Sequence, residues 1–453
     1  MDKRETFGSR FAVIMAMAGS AIGLGNIWRF PYVVGENGGS AFIIVYLIST
    51  LLLSLPIFLS EAVIGRKTGK GTFGAMEQLA PGTRWKWLGL LTVISPLIIL
   101  SFYSVVGGWS VEYLLKSLTF SFSSGNEAEA EAFFGRFISS VRGPLVCHTV
   151  FLAFCAVIVT AGVKKGIERF SNITMPVLLV LIVLIMIYSL FLPGSRAGVT
   201  WLLKPDFSKL TASGVASAMG QSFFSLSLGV GTILTYSSYV RKEESLMSSA
   251  LGTAGFDLLF ALIAGFAVIP AVFAAGIEPS AGPGLVFETL PYIFASMGAE
   301  APAVSAVVAI LFFLAILVAA VTSAISMLEV GVAYLVDEKG MARGKAVLIL
   351  FVICWTVGTL CSLSFGPLAG VSVFGETIFG FCDKLTSNFL MAFGGLLFTY
   401  FVGWRMDREQ VRRELTSDGK DRFGAACFGT VRFLIRYVAP VAILLIFLTN
   451  LFL

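Results

Sequence analysis

A chain of 453 residues that is 57% hydrophobic and only 13% charged lies far below the roughly 25% charged fraction of soluble domains, which excludes a soluble globular protein. The net charge of +5 is small for this length and gives no reason to expect a nucleic-acid partner. The six cysteines form no CxxC pair and fall mostly in apolar runs, so they read as small core residues, and His148 is the only histidine.

The chain opens on a charged segment, Met1–Arg10, and the apolar run that follows leads into Asn26 and Arg29. No small-residue cleavage site appears there, so no cleavable leader is expected. A membrane-spanning helix needs about 20 mostly apolar residues. Eleven stretches qualify: 11–33, 41–64, 88–118, 145–162, 169–192, 212–239, 248–275, 302–335, 346–364, 370–403 and 428–453. Between them, residues 123–135 carry Glu127, Glu129 and Glu131 and read as a short external helix or a solvated loop. The long 276–301 segment reads as a connector or as a cap over an external vestibule. The expected partners are the lipid bilayer and a small-molecule substrate.

Charge placement orients this set. Of the 32 Lys and Arg residues, only Lys116, Arg136, Arg142, Arg196, Lys204 and Lys209 fall in segments that are external if the N-terminus is cytoplasmic. Arg29 and Lys384 lie within spans, and the remaining 24 fall in cytoplasmic segments. That is the asymmetry of the positive-inside rule. It predicts a cytoplasmic N-terminus and, with eleven spans, an external C-terminus.

Two spans are interrupted. Gly19-Ser20-Ala21-Ile22-Gly23-Leu24-Gly25-Asn26 breaks the first, and Ser225-Leu226-Ser227-Leu228-Gly229-Val230-Gly231 breaks the sixth. Each Gly costs a helix about 0.8–1 kcal/mol relative to Ala, and irregular backbone at membrane depth survives only where it is buried in protein or lines a cavity. Paired interruptions in two halves of a polytopic chain point to a transporter's binding site. Five spans, five more of inverted topology and one extra fit this placement: 11–192 and 212–403 as the repeats and 428–453 as the eleventh span, within a single transporter domain over 1–453. Close helix packing is the other reading of a Gly-x-Gly stretch taken alone.

Ionisable groups inside a membrane need a partner or a task. Asp257, Glu329, Glu61 and Glu112 lie within or near the ends of spans, and Arg29 and Asp383 near external ends. Glu112 and Glu329 read as structural charges. Asp257 follows the second interruption and reads as functional. Sodium takes hard oxygen ligands. Carbonyls at the first break, the Asn26 amide, the Ser225 and Ser227 hydroxyls and the adjacent Thr322-Ser323 pair could supply them. A helix hydroxyl bonded back to its own carbonyl is the alternative for Thr322-Ser323.

At these residues the chain resembles the neurotransmitter:sodium symporter family, whose fold is the all-α LeuT fold with discontinuous first and sixth helices. The run from Gly19 through Asn26 into Ile27-Trp28-Arg29-Phe30-Pro31-Tyr32, followed by Glu36-Asn37-Gly38-Gly39, matches its first-span signature. Gly220-Gln221-Ser222-Phe223-Phe224-Ser225-Leu226-Ser227-Leu228-Gly229, closed by Ser237-Ser238-Tyr239-Val240, matches its sixth. Eleven spans resemble the bacterial branch that carries hydrophobic and aromatic amino acids.

The resemblance implies a symporter, not an enzyme, with two Na+ sites. One would use the Ala21 carbonyl, Asn26, Ser225, Asp257 and the substrate carboxylate. The other would use carbonyls of Gly19, Ile22 and Ala319 with Thr322 and Ser323. The substrate carboxylate would meet the amides of Leu24 and Gly25 and the Tyr103 hydroxyl; its amine would meet carbonyls near Ala21, Phe224 and Ser225, and Ser227. Ile99, Tyr103, Phe224, Val230, Ser326 and Met327 would line the side-chain pocket. Arg29 with Asp383 resembles the external gate, and Arg4, Ser238, Tyr239 and Asp337 the internal gate. Gly166 and Pro176, with nine residues between them, resemble the motif at which the fifth span unwinds.

Two positions depart from the family pattern. Asp257 stands where Asn is usual, and the hydroxyl that chloride-dependent members place one helical turn later is Ala261 here. The Asp257 carboxylate would then supply the charge that chloride supplies elsewhere, with Tyr46, Gln221 and Ser225 as remnants of the halide site. Gly23 stands where amine-carrying branches place Asp, which implies a whole amino acid as substrate. A proton-coupled carrier with Asp257 as its protonation site, or a non-transporting sensor on the same fold, are the competing expectations.

Overall fold

The computed structural model describes residues 5–119, 127–277, 286–297 and 302–452. In chain order, α1 (Arg10–Ala21) and α2 (Gly25–Glu36) form a broken pair bent by 55°. Then come α3 (Ser40–Thr68), the short α4 (Thr72–Leu79), α5 (Lys86–Thr119), α6 (Glu127–Ser139), α7 (Arg142–Thr160) and α8 (Val163–Leu190). After the short α9 (Ser195–Leu203), α10 (Ala212–Ser225) and α11 (Thr232–Ser237) form a second broken pair. The chain continues through α12 (Leu246–Ala274), α13 (Thr289–Met297), α14 (Pro302–Asp337) and α15 (Arg343–Leu363), then α16 (Ile378–Arg405), α17 (Arg408–Leu415) and α18 (Arg422–Thr449). Among the described residues, nine helices are long and apolar enough to cross a membrane and α1–α2 is a tenth as a bent pair. The α10–α11 pair occupies the sixth expected stretch, 212–239.

The boundary displaced furthest is the start of the tenth span. It was expected from residue 370, but residues 372–377 form a two-stranded hairpin, Ser372–Val373 against Glu376–Thr377, and the helix starts at Ile378. Thr377 caps it by accepting from the Gly380 amide at 3.0 Å. The apolar run through Val371 and Val373 misled because Gly370 and Gly375 turn the chain there, the latter at φ 85°. Other ends are capped as their side chains dictate: Ser9 accepts from Ala12 N, Thr211 from Gly214 N and Ser245 from Ser248 N.

The helices sort by burial. The apolar window of α5 is 72% buried and that of α18 only 28%, which makes α5 a central strut and α18 a peripheral, lipid-facing helix. α14 lies along α5, and α7 and α15 pack on its other sides. Gly107 and Gly108 make the α7 contact possible: a Cβ on Gly108 would stand 2.6 Å from the His148 backbone nitrogen, and one on Gly107 2.6 Å from the Phe151 ring. Against this frame sit α1, which touches α8, α12 and α14, and α11, which packs on α3. The two breaks therefore meet in the interior, faced by α5 and α14.

The expected external helix near 123–135 is α6, beginning at Glu127; residues 120–126 lie outside the described residues. Of the 276–301 segment, residues 278–285 and 298–301 lie outside them as well. Phe287 and α13 pack inward: the Tyr113 hydroxyl donates to the Phe287 carbonyl at 2.6 Å, and the Phe287 ring meets Trp109 edge-on.

Candidate substrate and ion site

The first break is a helix end without a capping side chain. Ile22 leaves the helix at ψ 105°, so the last carbonyls of α1 have no helical successor. The second break turns more sharply. Ser227 has φ 53°, Gly229 φ 79° and Gly231 φ 74°. Gly229 has no substitute here, because a Cβ would collide with the Met391 carbonyl of α16 as well as strain the backbone. Ser227 holds its left-handed conformation while donating from Oγ to the Ser20 carbonyl at 2.9 Å, which ties one break to the other. Gln221 adds a second tie, Nε2 to the Gly25 carbonyl at 3.1 Å.

Asp257 reaches this junction from α12, completely buried. The Asn26 amide donates to its Oδ1 at 2.8 Å, the Ser225 hydroxyl lies 2.9 Å from both carboxylate oxygens, and the Tyr46 hydroxyl donates to Oδ2 at 3.3 Å. A buried carboxylate is costly unless it is paired and hydrogen-bonded. Among the described residues it receives three neutral donors and no cation, so a small bound cation could complete it. Ala261 is buried one turn away, with no hydroxyl to offer.

A second cluster of oxygens forms where α14 passes the end of α1. The Ser323 hydroxyl lies 3.4, 3.2 and 3.3 Å from the carbonyls of Gly19, Ser20 and Ile22. Thr322 Oγ1 lies 3.5 Å from the Ile22 carbonyl but only 2.9 Å from that of Ala319, so back-bonding to its own helix is real for Thr322 and does not describe Ser323. These weakly satisfied carbonyls and hydroxyls are a donor set that could hold a hard monovalent cation. Gly23 keeps the space open: a Cβ there would run into the Ser323 hydroxyl and come within 2.8 Å of the Tyr103 hydroxyl.

On the other side of the first break, the Leu24 amide donates to the Tyr103 hydroxyl at 3.2 Å. Leu24, Gly25, Tyr103 and Phe224 line a cavity of about 150 Å³ that also touches Arg29 and Asp383. Ile99, Val230, Ser326 and Met327 are buried and do not line it; Ser326 instead accepts from the Ser20 hydroxyl at 2.8 Å. Arg29 and Asp383 share the cavity without an ion pair. The Arg29 guanidinium sits 4.7 Å above the Phe224 ring, and Asp383 accepts from Ser387 at 2.8 Å.

At the opposite end the structure is sealed. The Phe7 amide donates to the Tyr239 carbonyl at 3.1 Å, and the Phe7 ring meets the Tyr236 and Tyr239 rings edge-on. Glu5 accepts from the Val163 amide at 2.6 Å, and Glu168 from the Gly8 amide at 3.0 Å. The Tyr239 hydroxyl donates to Glu329 at 2.8 Å, and Arg343 pairs with the same carboxylate. Ser238 is buried at this end, Asp337 closes α14, and Arg4 lies outside the described residues. Val163–Glu168, at the start of α8, is wound as a π-helical turn containing Gly166, with Pro176 inside the helix beyond it.

Two residues escaped the sequence reading of the site. Glu61, buried in α3, accepts from the Gly229 amide at 2.7 Å and so holds the second break in shape. Arg343 balances Glu329. Nothing in the spacing of Glu61 and Gly229, 168 residues apart, could have paired them.

Two discontinuous helices meeting around a buried carboxylate inside a multi-pass bundle define a membrane transporter rather than an enzyme. The sequence profile of the Sodium:neurotransmitter symporter family matches residues 4–130 and 137–453, and the chain belongs to that family. It is 38% identical over 447 residues, 99% of this chain and 98% of the relative, to an uncharacterized sodium-dependent transporter, YhdH, of Bacillus subtilis (strain 168). It is 35% identical over 461 residues, 99% of each, to an uncharacterized sodium-dependent transporter of Haemophilus influenzae. The crystal structure of MhsT in complex with L-phenylalanine superposes with a TM-score of 0.89 at 42% identity, covering 99% of this chain and 100% of that one. The LeuT fold expected from the sequence is the fold observed.

Proposed function

We propose that this chain is a sodium-coupled importer of neutral, hydrophobic or aromatic L-amino acids that works by alternating access without chloride. The observation that carries the proposal is the Asp257 carboxylate, held by Asn26, Ser225 and Tyr46 between the two breaks with no cationic side chain beside it among the described residues. One sodium would sit among the Ala21 carbonyl, Asn26, Ser225, Asp257 and the substrate carboxylate. A second would sit among the Gly19, Ile22 and Ala319 carbonyls, Thr322 and Ser323. The fixed charge of Asp257 removes the need for chloride at the remnant site of Tyr46, Gln221 and Ser225.

The substrate carboxylate would lie at the amino end of α2, against the Leu24 and Gly25 amides and Tyr103, while its amine faces the carbonyls of Ala21, Phe224 and Ser225, and Ser227. Helix amino ends favour anions and carbonyl ends favour cations. Ile99, Val230, Ser326 and Met327 would line the side-chain pocket when it closes. The 11–192 and 212–403 repeats would move relative to one another. Arg29 and Asp383 would close on the external side, and Arg4, Ser238, Tyr239 and Asp337 would open on the cytoplasmic side. With cytoplasmic N-terminus and external C-terminus in a bacterial plasma membrane, the separated Arg29 and Asp383 and the docked Phe7 correspond to an outward-open state. MhsT, the structural neighbour, was solved with L-phenylalanine, which supports the substrate class.

The test is uptake of labelled leucine, phenylalanine, tryptophan, lysine and glutamate into proteoliposomes. Uptake of the first three driven by a sodium gradient, unchanged when chloride is replaced by gluconate, supports the proposal. Uptake that follows only a pH gradient replaces it with a proton-coupled carrier.

A further inference from the structure

Three of the six basic residues expected on the outer side gather in one place. Arg196, Lys204 and Lys209 line a single open cleft of about 830 Å³ whose walls are Gly38, Trp201 and Phe273. All three are exposed, and none forms an ion pair among the described residues. Among the described residues, the only acid lining the cleft is Asp206, whose carboxylate accepts from the Ser208 amide at 3.1 Å and from its hydroxyl at 2.5 Å. Among the described residues the cleft thus sets three cations against one carboxylate.

Its position selects the ligand. Phe273 lies in the last turn of α12 and Trp201 in α9, which runs between the end of spanning α8 and the start of α10. Aromatic and basic side chains at the ends of spans mark the membrane–water boundary. Leu203 and Phe207 flank the basic residues with 66% and 57% of their surface exposed, apolar area that acyl chains can cover. A free anion would use the cations and leave these side chains in water; a lipid uses both.

We propose that this cleft binds the phosphodiester headgroup of an anionic membrane lipid, with Arg196, Lys204 and Lys209 on the phosphate and Leu203 and Phe207 against the acyl chains. The occupant would press on the turn that joins α2 to α3. A Cβ at Gly38, φ 89°, would stand 3.2 Å from the Lys209 carbonyl, and the Ser40 hydroxyl donates to the Trp201 carbonyl at 3.3 Å. Lipid binding therefore bears on the outer half of the first broken helix.

The experiment is native mass spectrometry of the purified full chain in neutral detergent, titrated with phosphatidylglycerol or phosphatidylcholine. A basic residue at a membrane surface contributes about 1 kcal/mol to anionic-lipid binding, or about fivefold in affinity. The triple variant R196Q/K204Q/K209Q is expected to lose phosphatidylglycerol affinity by about a hundredfold and to keep its phosphatidylcholine affinity, while R136Q, on α6, changes neither. If the triple variant is not monodisperse, K204Q and K209Q singly are each expected to lose about fivefold. Equal affinity of the native chain for both lipids overturns the proposal, as does unchanged phosphatidylglycerol affinity in the variants. Inorganic phosphate displacing phosphatidylglycerol at equimolar concentration assigns the cleft to a free anion and overturns the lipid.

Discussion

Asp257 is the residue on which most depends. Its three partners are neutral donors, and replacing the acid with Asn keeps the shape and removes the charge. Interactions with a charged group contribute about 1.5–3 kcal/mol, so Asp257→Asn is expected to raise the sodium concentration for half-maximal uptake by about tenfold or more and to make uptake respond to added chloride. An unchanged sodium requirement would remove Asp257 from the ion site. Gly23 offers a second test at this scale. Gly23→Ala pushes a methyl group into the Ser323 and Tyr103 hydroxyls, and sodium-dependent substrate binding, read by equilibrium dialysis, is expected to be lost while the protein stays monodisperse. Asn26, Ser225 and Asp257 were legible because glycine breaks and an intramembrane acid are rare enough to stand out. Glu61 was legible only as a charge, since its partner is a backbone amide that no residue type announces.

The broken helices carry the argument at the next scale. The α10–α11 linker depends on Gly229, where φ is 79° and the α16 backbone leaves no room for a side chain. A non-glycine residue in this conformation costs about 1–2 kcal/mol before any clash. Gly229→Ala is therefore expected to lower the detergent melting temperature and abolish uptake; normal uptake would show that the linker does not need this path. In α8, Pro176 cannot donate a backbone hydrogen bond and so weakens the turn that precedes it. Pro176→Ala is expected to leave substrate affinity intact and slow turnover, as measured by initial uptake rates at saturating substrate. Long apolar runs located the spans within a few residues, because length and hydropathy are local properties. The 372–377 hairpin was missed because Val371 and Val373 continue the apolar run, while two glycines set the direction of the chain.

Across the whole molecule, one end holds the cavity that Arg29 and Asp383 line without pairing, and the other is closed by Phe7, Tyr239 and Glu329. Alternating access requires that closure to be reversible. Tyr239→Phe deletes the bond to the Glu329 carboxylate, worth about 1.5–3 kcal/mol, and is expected to speed hydrogen exchange at the Phe7 amide about tenfold to a hundredfold; unchanged exchange would place the seal elsewhere. Of the residues that form the internal closure, the sequence reading had placed only Tyr239 there, since Glu5, Glu168 and Arg343 act through long-range contacts with no periodic signature.

The central claim is that ion and substrate share one site between the breaks, and linkage makes this measurable, because each must then raise the affinity of the other by the same factor. Isothermal titration of the purified protein with L-phenylalanine across a sodium series, and with sodium across a phenylalanine series, gives both factors. Equal factors of about tenfold or more are predicted; a phenylalanine affinity that does not change with sodium would contradict the account.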